Sequence, residues 1–319
     1  MLYCLQSCTK TPTESVVETT VDDTVWAFSD STPAIIDSLD KPVIVDSFNC
    51  FTNRDNENII TKGDSLIIEF PSGGCMTSPN QPSTTIKKST KIKSEIRLIK
   101  TRGDLIKYHL SSESNGNLIA LGAFINIKLT YNGREVFWSP FAQIKMLVRA
   151  NNTTEPMTYF SFQPSSNTSK DSTWMSSSNA NPFGFILPYK DNQKRNWYQI
   201  NSTKAKQFGF AYYQDPLSQQ TKTRLNVFMP LKYTNKNTLV YAVFDKYISA
   251  IRLKANSTGK SYGIAGIPVN SKITIVTISK IKGVYYLGAN AVTVTDSKPF
   301  TVTPNQIDSK SLNSFLKAL

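Results

Sequence analysis

A single histidine limits the chemistry open to this chain. His109 stands in Lys107-Tyr108-His109-Leu110, and a Ser-His-Asp site would need it as the base, yet no Gly-x-Ser-x-Gly elbow accompanies it. The residue is expected as a hydrogen-bonded structural or an exposed histidine. A glycosidase needs two carboxylates facing each other across a cleft. The chain holds 23 acidic residues, but most fall near the N-terminus, at turns or beside lysines, and no pair stands out. Ser72-Gly73-Gly74-Cys75 lacks the Gly-Lys-Ser/Thr ending of a phosphate loop. Asn53-Arg54-Asp55-Asn56-Glu57-Asn58 gathers carboxylates and amides, but its spacing fits no calcium loop and reads as a solvated turn. No catalytic residue, metal or cofactor is expected, and a carboxylate-based glycoside hydrolase is the weakest alternative kept.

The cysteines are Cys4, Cys8, Cys50 and Cys75. None forms a CxxC pair, and with one histidine in the chain a Cys/His zinc site is close to excluded. Cys50 and Cys75 either bridge in an oxidising compartment or remain two buried thiols, and spacing does not decide between them. Cys8 follows Leu5-Gln6-Ser7, and Leu-x-Ser-Cys looks like the lipobox at which a bacterial signal peptide is cut and the cysteine acylated. Met1-Leu2-Tyr3-Cys4 is too short for a charged region followed by an apolar one, so this reading places Met1 inside a longer signal peptide. The alternative is a chance four-residue match. From Thr9 to Ser15 the chain is polar, as a flexible tether should be.

Charge sorts the possible partners. The net charge is +13, but residues 1–60 carry a net of −7 and the remainder +20. Lysines outnumber arginines 28 to 8, which fits solvent faces and edge strands that resist edge-to-edge pairing. The sharper reading is a basic surface for anionic glycans, lipid headgroups or nucleic acid. Nucleic acid is the weakest of these, because no Lys/Arg run, zinc spacing or recognition helix is present. Trp174, Trp197, Tyr198, Tyr212 and Tyr213 are candidates for stacking on sugar rings, against the commoner fate of aromatics in sandwiches, which is burial.

The elements that must position these residues are strands. Phe124–Thr130 puts Ile125, Ile127 and Leu129 on one face and Asn126, Lys128 and Thr130 on the other, the period-two signature of a half-buried strand. Asn132-Gly133 supplies the pair that a type I′ turn needs, and Glu135–Trp138 returns, so residues 118–138 read as one long hairpin. Pro42–Phe48, Gly63–Pro71 (ended by its proline), Ile96–Ile99, Asp104–Tyr108 and Gln143–Arg149 read as further strands of a sandwich. Later strands are expected at Pro182–Leu187, Trp197–Ile200, Leu225–Met229, Leu239–Phe244, Ile248–Leu253, Lys272–Ile278, Val284–Leu287, Ala291–Thr295 and Phe300–Thr303, with Lys282-Gly283 as a turn. At the C-terminus Leu312, Phe315, Leu316 and Leu319 share one helical face, with Asp308 or Ser309 placed to cap, and the helix is expected to dock on the second sandwich. No run approaches the roughly 20 apolar residues of a membrane span.

The fold class expected is all-β: two antiparallel β-sandwich domains in tandem with a short C-terminal amphipathic helix. The divisions are 1–40 as signal-peptide remnant, lipobox and acidic tether, 41–163 as the first sandwich, 164–308 as an immunoglobulin-like sandwich, and 309–319 as the helix. Asn151, Asn152, Asn167, Asn201 and Asn256 head Asn-x-Ser/Thr triplets, which arise freely in so Asn- and Thr-rich a chain.

The run Ile59–Pro71, then Ile96–Ile99 with Gly103–Ile106, then Ser112–Gly122 leading into the Asn-Gly hairpin, resembles uncharacterised cell-envelope lipoproteins of Bacteroidota. Asn196–Asn201 and the stretch from Gly266-Ile267-Pro268-Val269 to Tyr285-Tyr286-Leu287-Gly288 add to the likeness, and the first module is similar to ZU5-type β-sandwiches. The resemblance implies the fold and a cell-envelope location, with no settled activity to carry over. Together with the Leu-x-Ser-Cys match, the residues lead us to expect a non-catalytic interaction or scaffold module, or a glycan binder, held at the outer membrane through lipid on Cys8 and facing the periplasm or the cell surface. The resemblance carries no catalytic motif. Thr9-Lys10-Thr11-Pro12 stands where surface-exported members often place an acidic run.

Overall fold

The computed structural model describes residues 24–28, 33–50, 58–71, 73–78, 86, 90–114, 117–139, 141–150, 153, 157–163, 173–176, 184–202, 208–213, 221–295 and 298–319, without the side chains of 90, 162–163, 173–176, 208, 210 and 212–213. Cys4, Cys8 and residues 53–57 of the stretch expected as a solvated turn fall outside that set.

The chain is mostly strand. It opens with β1 (Ile44–Cys50), β2 (Asn58–Lys62), β3 (Leu66–Phe70), β4 (Cys75–Met76) and β5 (Thr90–Ile99), followed by α1 (Arg102–Lys107). Next come β6 (Glu113–Ser114), β7 (Asn117–Tyr131), β8 (Arg134–Glu135), β9 (Phe137–Trp138) and β10 (Ile144–Arg149). The first half closes with β11 (Thr158–Gln163), β12 (Thr173–Ser176), β13 (Gly184–Lys190), β14 (Asn196–Ser202) and β15 (Phe208–Tyr213). The second half contains β16 (Lys222–Phe228), β17 (Thr238–Phe244), β18 (Ala250–Arg252), β19 (Lys254–Asn256) and β20 (Ser261–Pro268). It continues with β21 (Lys272–Ile281), β22 (Val284–Thr293), β23 (Phe300–Thr301), β24 (Asn305–Ile307) and α2 (Ser309–Ala318).

Two sheets form the first sandwich. Sheet one runs β1-β5-β7-β15-β11-β12, with β6 and β8 added to β7, and sheet two runs β13-β14-β10-β3-β2. Their inner faces meet through Phe48, Ile68, Phe70, Ile96, Ile125, Ile127, Met146, Val148, Tyr198 and Ile200. The division expected at 163/164 runs through these sheets, because β14 pairs with β10 and β15 with β7. β13, β14 and β15 therefore belong to the first sandwich. The polar segments around residue 164 resemble a linker only as long as pairing partners distant in sequence are unknown.

The second sandwich stacks sheet three (β19-β20-β16-β23) on sheet four (β18-β17-β21-β22-β24). Leu225, Val227, Val240, Ala242, Phe244, Tyr262, Ile273 and Ile275 fill it. Its longest ladder is the hairpin β21-β22, closed by Lys282 (φ 49°) and Gly283 (φ 81°) as the turn requires.

Between the sandwiches lies a third core. Ile99, Ile119, Leu121, Phe124 and Phe160 on the outer face of sheet one meet Leu239, Tyr241, Val243, Val276 and Ile278 of sheet four, with Leu105, Ile106, Leu312 and Leu316 from the helices. Sheet four is thus covered on both faces, and β17 is buried at every position, which is why its sequence is a continuous apolar run. Polar bonds cross the same seam: Ser112 N–H donates to Ala250 O at 2.8 Å, and Leu121 N–H to Ile248 O at 2.9 Å. Arg102 spans it with Nε on Tyr247 O at 2.8 Å, Nη2 on Asp245 O at 2.6 Å and Nη1 on Leu319 O at 3.2 Å.

Several expectations change here. Asp104–Lys107 is helical with Tyr108 as its C-cap, not a strand. Thr101 caps the turn by accepting from Asp104 N–H at 3.0 Å, and Leu105 and Ile106 are both buried, whereas in a strand they would point to opposite faces. Gly103 allows α2 to lie against α1, since a Cβ there would fall on the Leu316 carbonyl. So α2, capped by Asp308 as expected, docks on α1 as well as on the second sandwich. The long hairpin also ends early: β7 and β8 close over Asn132 (φ 47°) and Gly133 (φ 75°), but Phe137-Trp138 leaves to pair with Cys75-Met76. There the Trp138 ring fits against Gly74. Residues 33–40 are not tether, because Ile35, Ile36 and Leu39 are buried in the third core. Trp26 likewise packs on Tyr262 at 5.3 Å. Cys50 and Cys75, left open by spacing, are disulfide-bonded and buried.

Candidate binding face

The alternation of sheet two turns one set of side chains into the core and the other toward solvent. On β14, Tyr198 and Ile200 point inward, which leaves Trp197, Gln199 and Asn201 on the outer face. Opposite them on β13 stand Tyr189, Leu187 and Phe185. These three are 38%, 50% and 41% exposed. One strand therefore presents an unbroken outward apolar row, which a monomeric surface gains nothing by keeping.

β13 is also an edge strand, since the sheet order places it outside β14 and, among the described residues, nothing pairs with its other side. Pro188 lies within it, a residue that a sheet tolerates at an edge because it has no N–H to give a second neighbour. Gly184 starts the strand where a Cβ would meet Asn201 O at 2.6 Å and the Tyr159 ring at 2.7 Å. Tyr159 is fixed beneath by its bond to Ser202 Oγ at 2.9 Å, and its burial pushes the phenol up to about 12 against that bond.

The β13-β14 turn is held by one carboxylate. Asp191 accepts from the N–H of Gln193 at 3.0 Å and of Arg195 at 2.8 Å, from Arg195 Nε at 2.6 Å and from Trp197 Nε1 at 3.1 Å. Desolvation pushes this carboxyl up, but the donors from Arg195 and Trp197 outweigh it and hold it down at about 2. Arg195 also reaches Asp64 on the neighbouring turn at 2.9 Å. Its guanidinium and that of Arg149 each lie 5.5 Å from the Trp197 ring. Across the sheet, Lys145 pairs with Glu69 at 2.9 Å. The face is thus a rigid apolar row beside a charged, ordered border. That arrangement can bind.

Two of the five stacking candidates are ruled out by burial. Trp197 is 1% exposed and Tyr198 2%, the first covered by its arginines and the second in the sandwich core. Trp174 lies on β12 opposite Phe162, and Tyr212 and Tyr213 on β15 opposite Ala120 and Ile119; their side chains are outside the described set. Cys8 is outside it too. His109, just past α1 with φ 55°, donates from Nε2 to Asp37 Oδ1 at 2.8 Å. Burial lowers its pKa, opposed by Asp37, and the pair ties residues 33–40 to α1. Among the described residues no group of three or more His, Cys, Asp or Glu side chains could hold a metal ion, and no helix is long and apolar enough to cross a membrane. Phe185, Leu187 and Tyr189 were not singled out by the sequence, although their period-two spacing around Pro188 was the signal that could have found them.

No protein-family model matches the chain, and no curated protein matches it in sequence.

Proposed function

We propose that this protein is a non-catalytic cell-envelope lipoprotein, tethered through acylated Cys8, that binds another protein with the outer face of sheet two. The observation that carries the binding role is the exposed row Phe185, Leu187 and Tyr189 on an uncovered edge strand. Each of these side chains is already about half covered, so a partner that completes their burial gains roughly 1 kcal/mol from each. Protein is favoured over glycan because an aliphatic residue sits at the centre of the row, while Trp197 and Tyr198, two of the candidate sugar platforms, are buried. The buried Cys50–Cys75 bond supports an oxidising compartment, and the Leu-x-Ser-Cys match and the resemblance to Bacteroidota envelope lipoproteins support the address.

The full chain carrying Cys8→Ser, so that acylation does not contribute, tests the binding role on envelopes isolated from the producing organism. Saturable binding that Leu187→Asp weakens roughly tenfold or more is expected, because the new carboxylate would have to be desolvated. Binding that does not saturate, or that Leu187→Asp leaves unchanged, contradicts it. Mass spectrometry of the native membrane-derived protein checks the address: acyl chains on Cys8 are expected, and a free Cys8 thiol contradicts the anchor.

A further inference from the structure

At the end of β10 in sheet two, Arg149 meets Lys100 from the end of β5, and among the described residues no carboxylate neutralises either cation. Lys100, just past β5, is half-buried, and its Nζ donates to the Arg149 backbone carbonyl at 2.7 Å. Burial, and after it the charge of Arg149, lowers the pKa of that amine. Arg149, the last residue of β10, lies over the Trp197 ring, and its Nη1 is buried with no hydrogen-bond partner. Among the described residues neither cation forms an ion pair, and Asp191 and Asp64 are both engaged by Arg195. A buried N–H that bonds to nothing costs about 1–3 kcal/mol, and the neighbouring like charge adds to the strain. Both side chains are nonetheless partly exposed, so an anion from outside can reach the pair and offset its charge.

We infer that Lys100 and Arg149 form an anion site for a carboxylate of the bound protein, an Asp or Glu side chain or a chain terminus, while that protein's apolar side chains cover Phe185, Leu187 and Tyr189. This rests on the binding-face reading above and adds the chemistry of the partner. Arg149, Trp197 and Tyr189 are successive partners across β10, β14 and β13. Strands lie about 4.8 Å apart, so the Arg149 backbone is about 10 Å from that of Tyr189, and a partner segment of up to roughly three extended residues spans the two. A carboxylate suits the site better than phosphate does. One Lys100 N–H is already spent on a carbonyl, and that carbonyl oxygen would repel the second charge of a phosphate.

Short random peptides displayed for selection on the full chain test this. The wild type is expected to select peptides with an Asp or Glu about three residues from a Leu, Phe or Tyr. A synthetic peptide of that kind should bind roughly tenfold to a hundredfold more weakly to Arg149→Gln or Lys100→Gln. Replacing its acid with the amide should cost the wild type the same and cost the variants nothing further. Lys100→Gln keeps an N–H for the Arg149 carbonyl, so it serves where Arg149→Gln disturbs folding. Selected peptides without a preferred acid, or acid-dependent binding unchanged in both variants, overturn the anion site and leave the binding face standing. Inorganic phosphate that competes at lower concentration than acetate overturns the carboxylate assignment. No selection by the wild type, or selection indifferent to Leu187→Asp, overturns the binding face itself.

Discussion

Gly103→Ala tests whether the two sandwiches are clasped by their helices. The added Cβ would fall on the Leu316 carbonyl oxygen, so α2 must withdraw or α1 must deform. A withdrawal of more than about 1 Å already forfeits a quarter to a half of each dispersion contact along the seam. The residues concerned, Leu312 and Leu316, are fully buried against Leu105 and Ile106, and losing either outright costs about 2–5 kcal/mol. A destabilisation of roughly 3 kcal/mol follows, which for a cooperative unit the size of the first sandwich is a fall of about 6–12 °C in Tm. Calorimetry on the full chain measures it, and a second background isolates its cause. In a chain truncated before Ser309 the obstructing carbonyl is gone, so Gly103→Ala should have little effect there, a strongly non-additive pair. Equal losses in both backgrounds, or no loss in the intact chain, would refute a close α1-α2 approach.

Other outcomes follow from the same geometry. Replacing both Cys50 and Cys75 with Ala should cost about 3.5 kcal/mol by loop-closure entropy over their separation of 25 residues, read as a lower urea midpoint. Because both sulfurs are buried, reductant should act on the native protein only as fast as it opens. The Asp191 carboxyl is depressed to about 2 from an ordinary 3.8. Its contribution to stability is therefore present above pH 3.8 and is lost as the pH falls toward 2, seen as a change in the Trp197 indole N–H signal that Asp191→Asn abolishes. Ser249 Oγ donates to Ile119 O across the seam at 2.7 Å. Ser249→Ala leaves that buried carbonyl short of a donor and should lower stability by about 1–2 kcal/mol, measured by chemical denaturation.

The strands were legible where one face is buried and the other wet. Ile125, Ile127 and Leu129 are all buried, as their alternation requires, and Asn132-Gly133 and Lys282-Gly283 take the positive φ that their hairpins need. α1 was not legible because a six-residue helix is too short to display a 3.6-residue period, and its sign was the Thr101 cap. The extent of the first sandwich was hidden for a different reason: β14 reaches β10 across polar segments, and local composition says nothing about such pairing. Trp197 shows the same limit at the binding face. Its type fitted either a sugar platform or a core, and the arginines over it are Arg195, two residues before it, and Arg149, which only the pairing of β10 with β14 brings near. The exposure of Leu187 likewise depends on β13 being outermost, for which Pro188 was the one local hint.

The binding claim is tested most directly by placing a photoactivatable cross-linking amino acid at position 187 of the full chain in living cells of the producing organism, with position 45, exposed on sheet one, as the control. The account requires a discrete protein adduct from 187 that is missing from 45 and is lost with Phe185→Asp. Adducts that match between the two positions, or none at 187, would contradict it.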